Sequence, residues 1–213
     1  MSLFVAGNQR KPIFSMGLAF LVMLMAGSLS TMAQATTLAT AAASFAPNRT
    51  AATPAQIWQR LKHARWFTQG TGPNTIYLIF DPNCPYCHLL INELQALLKP
   101  DALTIRYVPV GFLEPSSMGK AAAILEAKNP LQALWENEKG FTEKGHDGAI
   151  QEILPSAATE KALKNNLNIL EATGQKTVPT MLYQNSRNQP RIVWQVLDPK
   201  NLAQTLKSLH RRY

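Results

Sequence analysis

An α/β sheet interrupted by a helical insertion is the fold that the sequence predicts, and three observations predict it. "TIYLIFD", Thr75 to Asp81, is β-rich and almost continuously apolar, as a strand buried on both faces would be. Directly behind it, Cys87, Ile91, Leu94 and Leu98 recur at helical spacing, so strand passes straight into helix. Further on, residues of about 115–174 carry helical patterning without a strand signal, between a second strand and a late strand pair.

The elements follow in order. A polar start with Arg10 and Lys11 leads into the apolar "IFSMGLAFLVMLMAGSL" and then Ala33-Gln34-Ala35, a small-x-small cleavage form. Together these read as a secretory signal peptide over 1–35, which predicts export through the inner membrane into the periplasm with Thr36 as the first residue. The apolar core is shorter than the ~20 residues that a spanning helix needs. Residues 36–54, rich in Ala and Thr, have little to bury and read as a flexible leader. Residues 55–213 are left as one domain, long enough for its own core. The formal net charge is +8, with two of the basic residues, Arg10 and Lys11, in the signal peptide. No basic run interleaved with aromatics is present, so the charge predicts a solvated surface rather than a nucleic-acid partner.

Ile57, Trp58, Leu61, Trp66 and Phe67 suggest a first amphipathic helix, ended by Gly70, Gly72 and Pro73. After Thr75–Asp81, Asn83 is the expected N-cap of the next helix, with Pro85 in its first turn and Pro100 beyond its end. A second strand spans Leu103 to about Val110. In the insertion, Ser156 or Thr159 is the expected start of a helix that Gly174 stops. "TMLYQ" and "RIVWQVL" read as two strands around "NSRNQP", and a last helix begins near Pro199. The order is β, α, β, a helical block, β, β, α, with no internal repeat.

The only two cysteines, in "DPNCPYCHLL", admit three chemistries. Cys84-Pro85-Tyr86-Cys87 is a C-x-x-C redox pair; with His88 it spells the haem-attachment string; the three together could hold a metal. A cysteine at a helix N-terminus is met by unpaired N–H groups and the positive end of the macrodipole. These favour the thiolate, the nucleophile in disulfide exchange. Cys84 is therefore the expected outer nucleophile, and Cys87, on the apolar stripe, the buried resolving thiol. A purely structural bridge over so short a loop would stabilise by only about 2 kcal/mol. Haem needs a pocket and usually a second axial ligand, yet Met118, His146 and Met181 sit in no ligand motif. A closed zinc site needs a fourth ligand, and no second Cys pair exists. Val178-Pro179 in "KTVPTMLYQ" stands immediately before a strand, where a cis peptide bond would let the proline approach the thiols closely.

Strand, C-x-x-C, helix, insertion and T-V-P-T before a strand resemble the thioredoxin fold. "FDPNCPYCH", "VPVGFLEPSSMGKAAAILEAKNP" and "TVPTMLY" are similar to the catalytic domain of periplasmic thiol:disulfide interchange proteins of the DsbC/DsbG type, DsbG in particular. The resemblance runs from about Ile57 to Leu209. It implies a nucleophilic Cys84, a resolving Cys87 and Pro179 as the facing cis-proline. Substrate would be bound by Pro85, Tyr86, Thr177, Val178 and Pro179, with Thr177 and Val178 offering their backbone. It also implies cysteine-containing exported proteins as substrates, an inner-membrane redox partner, and no cofactor or metal. Fewer than twenty residues separate Ala35 from the first helix, which leaves no room for that family's N-terminal dimerisation domain and predicts a monomer. Val178 stands where the DsbC/DsbG type has Thr, and this is more like the monomeric oxidase of the DsbA type. Glutaredoxins share Pro-Tyr between the cysteines, but they are smaller, cytosolic and without so large an insertion. The function expected is a reductase or isomerase of the DsbG kind, with a DsbA-like dithiol oxidase as the alternative. A non-catalytic chaperone or binding module and a c-type haem protein are the readings from other classes.

Overall fold

The computed structural model describes residues 51–98, 103–141, 147–194 and 198–209. The expected signal peptide, the leader up to residue 50, and His146 lie outside them. Ala52 already donates its amide to the Ala172 carbonyl at 2.8 Å. Thr53 and Gln56 close a capping box at the start of α1 (Pro54–Leu61), whose Ile57, Trp58 and Leu61 are buried.

The first helix is shorter than its spacing predicts. Trp66 and Phe67 do not belong to it, and Phe67 instead opens a short strand, β1 (Phe67–Gln69). The cause is a contact 101 residues away. Asn166 accepts from the Arg65 amide at 3.0 Å and donates to the Arg65 carbonyl at 2.8 Å, holding the chain out of the helix. The same side-chain amide also donates to the Pro109 carbonyl.

The other strands are β2 (Asn74–Phe80), β3 (Leu103–Pro109), β4 (Thr180–Gln184) and β5 (Pro190–Val193). The sheet runs in the order β1-β3-β2-β4-β5. β2 and β3 are parallel, and every other pairing is antiparallel. The central β2 is covered on both sides, which explains its unbroken apolar sequence. Ile76, Leu78 and Phe80 join the core built on α2 (Pro85–Leu97), while Tyr77 and Ile79 join the core of α1 and α5 (Ala157–Ala172). Trp58 meets Tyr77 edge to face, with ring centroids 5.0 Å apart.

α3 (Ser117–Glu126), α4 (Pro130–Glu138) and α5 form the insertion between β3 and β4. Ser156 is the N-cap of α5, and Gly174, at φ +88°, follows its end. The terminal helix, α6 (Pro199–Lys207), sends Leu202 and Leu206 into the core on the α2 side. The strand read through "RIVWQVL" is described only as Pro190–Val193, and residues 195–197 lie outside the described part. Among the described residues, no helix is long and apolar enough to cross a membrane.

Candidate active site

β2 ends at Phe80, and a three-residue loop, Asp81 to Asn83, carries the chain into α2. The Cys84 amide donates to the Asp81 carbonyl at 3.0 Å. The N-cap is Cys84, not Asn83: its sulfur accepts from the Cys87 amide at 3.0 Å. Asn83 is drawn the other way, into the insertion. It donates to the hydroxyls of Ser116 and Ser117 and accepts from the Lys120 ammonium at 2.7 Å. Pro85 does occupy the first turn, where its missing N–H removes no helical bond.

Cys84 and Cys87 form a disulfide, with Cα atoms 5.2 Å apart. The sequence places Cys84 outside and Cys87 inside. In the disulfide form Cys84 is only 2% exposed and Cys87 1%. The difference between them is therefore one of position on the helix rather than of access: Cys84 sits at the positive end, among the backbone donors, and Cys87 faces the core from the first turn.

The Val178–Pro179 bond is cis. The Val178 carbonyl oxygen lies 3.8 Å from the Cys84 sulfur, so the fold joins two segments far apart in sequence. Pro179 is buried. The Thr177 carbonyl accepts from the Thr180 hydroxyl at 2.7 Å and is thus turned toward the start of β4. Tyr86, 63% exposed, projects into solvent beside the cysteines, as does Pro85.

Several residues that sequence reasoning passes over shape this loop. Asp81 is buried and its carboxylate accepts four hydrogen bonds. Oδ1 takes the Asn83 amide and the Ser117 hydroxyl; Oδ2 takes the amides of Phe112 and Leu113. An Asp after a strand reads only as a turn residue, and nothing local signals this clamp. Asn137, also buried, donates to the Pro82 carbonyl at 2.9 Å, fixing the same loop from α4.

His88 is held rather than free on the helix surface. It contacts Glu138 at 2.7 Å and Asn92 at 3.0 Å, and its ring stacks on Phe141. Burial pushes the Glu138 carboxyl above its ordinary value, partly offset by its bonds to His88 and Asn137. Burial, aided by the Glu138 charge, likewise pushes the Tyr107 phenol upward. The residue that the haem string would use as an axial ligand is thus engaged by a carboxylate. Met181 is buried in β4, and Met118 packs against the core. Among the described residues, no group of three or more His, Cys, Asp and Glu is arranged to hold a metal ion.

The family described as thioredoxin-like domain matches residues 61–210. The chain is similar to the thiol:disulfide interchange protein DsbG of Pseudomonas aeruginosa, 27% identical over 154 residues, covering 71% of this chain and 59% of that protein. It is also similar to DsbG of Escherichia coli, 27% identical over 138 residues, covering 62% and 53%. The chain thus spans less than two thirds of the length of these relatives. Among solved structures it is similar to a periplasmic thioredoxin-like protein from Salmonella enterica serovar Typhimurium, at 17% identity and a TM-score of 0.59, covering 71% of this chain and 94% of that one. The catalytic domain of Proteus mirabilis ScsC superposes equally well, with a TM-score of 0.59 at 18% identity, covering 72% and 94%. These two likenesses concern the fold.

Proposed function

The chain belongs to the thioredoxin-like domain family, and from that premise we propose that it is an exported thiol:disulfide interchange oxidoreductase of the DsbG kind. The observation that carries the proposal is the Cys84–Cys87 disulfide at the N-terminus of α2, opposite the Val178–Pro179 loop. Similarity to two DsbG proteins supports it.

In the reducing direction, the Cys84 thiolate attacks one sulfur of a substrate disulfide, forming a mixed disulfide and releasing the substrate's other sulfur as thiolate. Cys87 gives up its proton and attacks the Cys84 sulfur. The intramolecular disulfide forms, and the remaining substrate sulfur leaves as thiolate. Two electrons pass from the pair to the substrate. In the oxidising direction, the same steps run backwards. The chemistry needs no cofactor beyond the cysteines. The proposed substrates are cysteine-containing proteins of the periplasm, and the proposed electron partner is an inner-membrane dithiol protein. The signal-peptide pattern of residues 1–35 supports this location.

Val178 before the proline favours a second reading, a DsbA-like dithiol oxidase. Trapping the thiols in cells separates the two: a mostly oxidised pair marks a disulfide donor, a mostly reduced pair a reductase or isomerase. The test of the activity itself is Cys84→Ser. Loss of all turnover on a disulfide-containing unfolded polypeptide supports an oxidoreductase. Binding of the unfolded polypeptide that survives Cys84→Ser, with no disulfide turnover in the unaltered protein, would make the protein a binding module instead.

A further inference from the structure

Lys120, on the first turns of α3, is only 9% exposed, and its ammonium donates to two neutral acceptors, Asn83 Oδ1 at 2.7 Å and the Gly148 carbonyl at 2.8 Å. Among the described residues, no carboxylate lies within ion-pairing reach of it. Asp81 connects to it only through Ser117 and Asn83, and its oxygens are already engaged by four donors. A buried cation held directly by neutral oxygens is costly, because they replace only part of its hydration.

The acceptors are held in place. Asn137 bonds the Pro82 carbonyl with its side chain and the Ala149 amide with its carbonyl, tying the active-site loop to the Gly148 segment. A Cβ on residue 148 would lie 1.9 Å from Asn137 Oδ1, so only glycine brings its carbonyl to this place. Asn83 directly precedes Cys84. Backbone geometry therefore keeps the ammonium within about 13 Å of the sulfur, across protein rather than water.

We infer that Lys120 is a positioning residue for the nucleophile: its buried charge makes the Cys84 thiol more acidic when the pair is reduced, and so favours the dithiol form. The inference rests on the oxidoreductase reading and deepens it by naming what tunes the site. The disulfide carries no charge to pair with Lys120. Reduction adds two electrons and two protons; Cys84 releases one proton and becomes a thiolate, while Cys87 keeps the other. The thiolate adds a negative charge within the field of the buried ammonium. Other titratable groups surround the same region: Asp81 at the end of β2, His88 on α2 paired with Glu138 on α4, Tyr107 on β3, Glu152 with its carboxylate beside Gly119, and Asp147 next to Gly148. Asp81 and Glu138 disfavour a thiolate when ionised, and His88 is already matched with Glu138. Among the described residues this leaves Lys120 as the buried cation bonded to the loop that carries the sulfur.

The test is Lys120→Met, with Lys120→Gln as a second variant that keeps a polar donor, and Lys120→Arg to restore the charge. Cys84 acidity is read from the pH dependence of iodoacetamide alkylation, and the dithiol–disulfide equilibrium is read against glutathione. The expected result for Met and Gln is an upward shift of about one pKa unit. The equilibrium moves about tenfold toward the disulfide, which corresponds to about 30 mV. Arg returns both toward the wild-type values. In thermal unfolding, the loss falls on the reduced form while the oxidised form holds or gains stability. An unshifted Cys84, with both redox forms weakened equally, overturns the inference and makes Lys120 a packing residue. If Met does not fold, Gln decides by the same readouts. These measurements use the protein's own cysteines, so absent turnover on substrates would count against the proposed function and not against this inference.

Discussion

The Cys84 sulfur lies 3.8 Å from the carbonyl oxygen of Val178, a residue 94 positions further along the sequence. One side of the nucleophile is thus occupied by the loop before β4, and the helix that carries Cys87 stands on another. In the proposed exchange, a substrate sulfur enters past the exposed rim of Pro85 and Tyr86, and Cys87 attacks from the protein side.

Cys87→Ser leaves the first attack possible and removes the second. The variant is expected to accumulate a one-to-one mixed disulfide with substrate through Cys84, visible by mass spectrometry under non-reducing conditions. Cys84→Ser is expected to form none. An adduct carried by Cys87 in the Cys84→Ser protein would reverse the assigned roles.

Asp81→Asn tests the clamp at the end of β2. An amide nitrogen cannot accept, so at least one of the two oxygen positions now confronts donors with a donor. The oxidised protein is expected to lose about 2–4 kcal/mol, because buried donors are left unpaired. Urea unfolding measures this as a lower midpoint at an unchanged slope.

Glu138 makes stability depend on pH in a direction opposite to that of a paired surface carboxylate. Burial raises its folded value above the ordinary 4.5, so between these two values the folded state binds more proton than the unfolded chain. Its contribution to stability is therefore greatest below pH 4.5 and declines as pH rises through the raised value. The slope is at most about 1.4 kcal/mol per pH unit. Glu138→Gln removes this titration and should gain on the wild type as pH rises across that window. Unfolding curves collected from pH 4 to 7 check the sign, and a variant that loses ground with rising pH would contradict it.

Asn166→Ala removes three hydrogen bonds, one buried and two part-buried, that join Arg65, Pro109 and α5. The expected loss is about 1–3 kcal/mol, since the Pro109 carbonyl stays buried while the Arg65 backbone groups are partly open to water. Disulfide exchange per folded molecule should stay within about twofold, because none of these contacts touches the cysteine loop. Denaturant unfolding and a turnover assay on the same sample separate the two effects.

The sequence by itself determined the succession of strands and helices, the seat of the two cysteines where β2 meets α2, and the proline-bearing loop before β4. Each is a local matter of apolar period, helix start and turn residues, read over a few neighbouring positions. Tertiary structure alone decided the rest. Phe67 became a strand because Asn166 seizes Arg65 from across the molecule. Asn83 gave up the cap because Ser116, Ser117 and Lys120 compete for its amide. Lys120 and Glu138, which look like ordinary surface charges in an amphipathic pattern, ended up buried beside the redox loop. Their burial depends on how the insertion folds back over α2. No window of sequence carries that information, because a side chain's dielectric surroundings and hydrogen-bond partners come from segments distant along the chain.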